Sequence, residues 1–68
     1  MKANYNKLWK LLIDKNMNKT TLQERTGMSP NTMAKMSKNE NVSMDVLLRI
    51  CKELQCDIGD IMEAIPED

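Results

Sequence analysis

The chain has 68 residues, ten basic and ten acidic, for a formal net charge of zero, with two cysteines and no histidine. That length allows one small domain burying about 60% of its unfolded surface, with little room for an enzyme pocket beside the core. The missing histidine removes the commonest general base, the spacing of Cys51 and Cys56 fits neither a CxxC redox motif nor a metal knuckle, and no stretch approaches the roughly 20 apolar residues that span a bilayer.

The helical period recurs along the whole chain, and the turn chemistry of a β-hairpin is absent. Tyr5, Leu8, Trp9 and Leu12 fall at i, i+3, i+4 and i+7 and predict a first helix over 4–15. Residues 16–18 break it, with Met17 expected to plug the core. A second helix is predicted over 19–26, with Asn18 as N-cap, Leu22 as its main core residue and Gly27 just past its last turn. Ser29 as N-cap and Pro30 at the first helical position predict a third helix over 30–37, with Met33 and Met36 facing inward. Residues 38–42 read as a polar loop with Val42 tucked in. Ser43 caps a predicted fourth helix over 44–55, whose core stripe is Leu47, Ile50, Cys51 and Leu54. Leu48 is expected to widen that stripe and Met44 to cover the open end of the core. A short fifth helix is predicted over 58–64, with Ile58, Ile61 and Met62 apolar. The expected architecture is all-α, a single domain over 1–68 with five helices. Both cysteines are expected as reduced thiols, Cys51 in the core and Cys56 near a helix end, because residues five apart on a helix share a face poorly.

The pair of short helices around Gly27 has the form of a helix-turn-helix. The turn needs a residue that tolerates positive φ, here Gly27, followed closely by an apolar residue, here Met28. Leu22, Met33 and Met36 would lock the two helices together. The outer face of the third helix must then enter a groove about 12 Å wide, and Ser29, Asn31, Thr32 and Lys35 present no bulky apolar obstacle. Residues 21–36, from Thr21 through Gly27 and Pro30 to Met36, resemble the helix-turn-helix of the Cro and lambda-repressor-like family, also called the XRE family. Leu8 to Leu12 resemble its first helix, residues 41–54 its fourth helix, and residues 56–62 its closing segment. Two positions depart from the pattern: many relatives have alanine where Gln23 stands and valine or isoleucine where Met33 stands. The resemblance implies a compact five-helix domain that binds operator DNA, often as a dimer on palindromic sites, and regulates transcription.

Within that frame the base-contacting candidates are Ser29, Asn31, Thr32 and Lys35. Asparagine can pair with adenine in a bidentate way and lysine can reach guanine. Phosphate-contacting candidates are Asn18, Lys19, Thr20 and Gln23 around the start of the second helix, where free N–H groups favour an anion, and Lys38, Asn39, Asn41 and Ser43 after the third. The charge distribution agrees with a DNA-facing side. Residues 1–38 carry eight basic side chains against two acidic, a net +6, and residues 39–68 carry two against eight, a net −6. The expected function is a sequence-specific DNA-binding regulator, a repressor, partnered by double-stranded DNA and a second copy of itself, if only on DNA. The zero net charge and acidic second half support a competing class, a protein-interaction module such as an antitoxin, anti-repressor or adaptor. An enzyme, a cofactor, a metal, a small-molecule ligand and membrane contact are not expected. Lysines interrupt residues 1–15, so no secretory signal is expected and a cytoplasmic location is.

Overall fold

The computed structural model describes residues 1–67. Strand β1 (Lys2–Asn4) leads into α1 (Asn6–Asp14), followed by α2 (Lys19–Thr26), α3 (Pro30–Ser37) and α4 (Met44–Leu54). A 3-10 turn (Ile58–Asp60) and strand β2 (Glu63–Ile65) complete the order. Three helices start on the same device, a short polar side chain on extended backbone that accepts a free amide. Asn18 accepts from Thr21 N–H at 2.7 Å, Ser29 from Thr32 N–H at 3.1 Å and Ser43 from Val46 N–H at 3.2 Å. Each such cap contributes about 1 kcal/mol. α1 starts differently: Tyr5 precedes it without a side-chain cap, and Asn4 Oδ1 accepts the Asn6 N–H instead. The first helix is therefore shorter than the predicted 4–15, with residues 2–4 drawn into a strand.

The closing segment also departs from expectation. In place of a fifth helix over 58–64, Asp57 and Asp60 close a single turn by accepting each other's backbone amides, and the chain then extends. β2 pairs antiparallel with β1, setting Lys2 opposite Ile65, Ala3 opposite Ala64 and Asn4 opposite Glu63. The sheet joins the two ends of the described chain, so no hairpin turn marks it in the sequence. The described residues thus form four α-helices and a two-stranded sheet rather than five helices. Lys7 Nζ donates to the Gly59 carbonyl and links α1 to the 3-10 turn.

The core draws on every helix: Tyr5, Leu8, Leu12, Leu22, Met28, Met33, Met36, Leu47, Ile50, Leu54 and Ile61 are buried, as is Ala3 of β1. Each large side chain fully removed from water contributes about 1.5–3 kcal/mol before entropy is counted. Trp9, Met17 and Val42 pack half-buried against this core. Met44 and Leu48 do not: both are exposed, correcting the expectation that they cover or widen it. α4 ends at Gln55, whose left-handed backbone (φ 51°) folds Cys56 back so that its N–H reaches the Cys51 carbonyl at 3.1 Å. This six-to-one closure ends the helix at Gln55. The end falls between the two cysteines, with Cys56 just past it as expected and Cys51 half-buried rather than in the core. Both thiols are free, and burial pushes both up from the ordinary range.

Candidate nucleic-acid interface

The turn between α2 and α3 sets the geometry. Gly27 sits at φ 73° and donates its N–H to the Gln23 carbonyl at 3.0 Å. A Cβ there would meet nothing within 4 Å, so the turn demands glycine for its backbone and not for space. Met28 is buried immediately after it, and Leu22, Met33 and Met36 hold the pair of helices from within. With Met33 and Met36 inward, the opposite side of α3 presents Asn31, Ala34 and Lys35, all exposed. Asn31 and Lys35 lie one turn apart on that side.

The base-contacting candidates do not all stand equally free. Ser29 Oγ accepts from Thr32 N–H and lies 2.9 Å from Thr32 Oγ1, so the two hydroxyls engage each other at the start of α3. Asn31 and Lys35 make no side-chain hydrogen bond or ion pair among the described residues.

Several phosphate-contacting candidates also hold the fold. Asn18 and Asn39 each accept a backbone amide through Oδ1, which turns the Nδ2 donors the other way. Ser43 accepts from Val46 N–H and keeps its hydroxyl proton. Lys19 donates to Ser37 Oγ at 3.0 Å with its ammonium 4.1 Å from the centroid of the Trp9 ring. Its charge is thereby held at the seam between the start of α2 and the end of α3. Thr20, Lys38 and Asn41 are exposed, and Gln23 is half-buried. Arg25 faces Glu53 at 3.5 Å, whereas Lys19, Lys35 and Lys38 form no ion pair among the described residues.

Three residues outside the predicted contact set bear on this surface. Ala34 is the small exposed residue between Asn31 and Lys35 on the outer side of α3. Ser37 anchors Lys19. Tyr5 ties the far end: its N–H donates to Asn39 Oδ1 and its buried hydroxyl donates to the Glu40 carbonyl at 2.8 Å. The signal for Asn39 was available, since asparagine tolerates the left-handed conformation (φ 58°) it adopts after α3. Nothing local marks Ser37 or the partner of the Tyr5 phenol.

Elsewhere the surface offers shallow grooves. One of about 390 Å³ lies between α1, the end of α4 and the 3-10 turn, lined by Lys7, Lys10 and Lys15 together with Asp14, Asp60 and Cys56. Among the described residues no helix is long and apolar enough to cross a membrane.

Residues 7–67 match the family model of the Cro/C1-type HTH DNA-binding domain. The crystal structure of the transcriptional regulator VanUg (Form II) is similar at a TM-score of 0.95 and 61% sequence identity, covering 97% of this chain and 88% of that one. No curated protein matches.

Proposed function

The chain belongs to the Cro/C1-type helix-turn-helix DNA-binding domains, and from that premise we propose a sequence-specific transcriptional repressor that reads the major groove with α3. The observation that carries the reading is the outer side of α3, where Asn31, Ala34 and Lys35 stand exposed opposite a buried methionine pair. Asn31 pairs with an adenine edge and Lys35 with guanine, while Ala34 permits close approach and packs on a thymine methyl. Ser29 and Thr32 contact base edges through what their mutual hydrogen bond leaves free. Asn18, Lys19, Thr20 and Gln23 grip one phosphate strand, and Lys38, Asn39, Asn41 and Ser43 the other. The Asn18 and Asn39 amides suit this role because each has its oxygen engaged inside the fold and its NH₂ available to an anion. Occupying an operator is enough to obstruct polymerase, so repression is the simplest output of such a surface. The protein acts in the cytoplasm as a homodimer on two-fold symmetric sites, each copy reading one half-site.

Selection of bound duplexes from a random pool tests this. One recurring motif is expected, with affinity falling steeply as salt rises because neutralised phosphates release counterions. If no duplex binds at about 50 mM salt, the reading fails and the protein-interaction module takes its place.

A further inference from the structure

We propose that the outer face of α4 is the surface on which a second copy of this chain docks, with the two α4 helices antiparallel; this rests on the DNA-binding reading above and names the contact between the two copies. Met44 and Leu48 are 58% and 54% exposed and lie one turn apart. Half-buried Cys51 and exposed Gln55 continue their row at i+7 and i+11 from Met44. α4 is thus apolar beyond the stripe that the core uses. Removing a large side chain from water is favourable, and these two have no cover within the chain.

Charge selects the occupant and its direction. Asp45 and Lys52 run along the solvent flank of the row, two turns apart, with the acid at the N-terminal end and the base at the C-terminal end. An antiparallel pairing centred on Leu48 brings each Asp45 to the partner's Lys52, twice by symmetry. A parallel pairing would put this flank of the two copies on opposite sides of the contact and bring no Asp45 to a Lys52. The antiparallel arrangement also opposes the helix dipoles favourably. Arg49 already faces Asp45 at 2.6 Å within the chain and stays beside the new pair. The zero net charge leaves no overall repulsion between copies. Such a contact is isologous and has two-fold symmetry, as a palindromic site does.

The row is smaller than the roughly 800 Å² per partner of a stable complex. The free protein therefore associates weakly, and the contact shows itself when adjacent half-sites raise the effective concentration to about the millimolar range.

The test compares binding to duplexes carrying one or two copies of the selected half-site. Wild type binds the double site cooperatively. Leu48→Glu keeps single-site affinity and thermal stability, and its affinity for the double site falls about tenfold or more. Lys52→Glu behaves alike, and adding Asp45→Lys restores cooperativity. Ile13→Glu, at an exposed apolar position on α1, leaves cooperativity intact. Non-cooperative wild-type binding, or a Leu48→Glu variant as cooperative as wild type, overturns the proposal. If no duplex binds at all, the DNA reading has failed instead. Sedimentation at millimolar concentration then judges the interface: association lost in Leu48→Glu supports it, and monomeric wild type overturns it.

Discussion

Tyr5 and Asn39 meet across 34 residues of chain: the Tyr5 N–H donates to Asn39 Oδ1 at 3.1 Å, and the Tyr5 hydroxyl reaches the neighbouring Glu40 carbonyl at 2.8 Å. The start of α1 thereby holds the end of α3. The Glu40 N–H in turn donates to the Lys35 carbonyl, so the clamp closes onto the helix that carries Lys35. Tyr5→Phe keeps the ring in the core and deletes one hydrogen bond. A loss of about 1 kcal/mol is expected, which for a domain of this size lowers Tm by roughly 4–8 °C. Calorimetry of the two proteins measures it, and an unchanged Tm would mean the clamp is idle.

The same phenol makes stability depend on alkaline pH. Burial pushes the Tyr5 hydroxyl up, and burial likewise pushes up the Cys51 and Cys56 thiols. Each group keeps its proton in the folded chain at a pH where the unfolded chain releases it. The unfolded state then binds fewer protons, so stability falls as pH rises. The decline begins near the unfolded thiol value of about 8.5 and steepens near the tyrosine value of about 10. Chemical denaturation from pH 7 to pH 11 follows it, and Tyr5→Phe is expected to flatten the upper part of the curve.

Gly27 separates backbone demand from packing. Its φ of 73° is the left-handed region, and the space around a new Cβ is open. Gly27→Ala therefore adds only backbone strain, about 1–2 kcal/mol of destabilisation. A stabilising or neutral result, read by urea denaturation, would show that the turn relaxes to another conformation.

In the proposed function Lys19 addresses the phosphate and not the sequence. Seated between Trp9 and Ser37, it is positioned before DNA arrives. Lys19→Ala is expected to weaken binding to all duplexes alike and to lower the slope of log K against log salt by about one. A change of base preference in a repeated selection would instead place Lys19 in the groove.

The parts of this molecule written in neighbouring residues were legible in its sequence. Asn18, Ser29 and Ser43 announce helix starts, Pro30 confirms one, and Gly27 announces the turn, because each acts through its own backbone or an amide three residues away. The outward set of α3 follows from Met33 and Met36 by helical spacing alone. What the sequence concealed depends on distant partners. β1 and β2 pair Lys2 with Ile65, and neither three-residue strand carries a pattern of its own. Residues 58–64 have the apolar spacing of a helix, yet the Asp57–Asp60 box and the reach of β1 decide otherwise. Met44 and Leu48 lie on an apolar stripe, and periodicity states that a stripe exists without stating what covers it.

The central claim is that Asn31 and Lys35 read bases. The most direct measurement is the affinity of wild type, Asn31→Ala and Lys35→Ala for the selected duplex and for each single-base variant of it. Each substitution is expected to cost about 1–3 kcal/mol on the selected duplex and to erase discrimination at its own base position. Equal affinity of all three proteins for every duplex, at unchanged thermal stability, would contradict it.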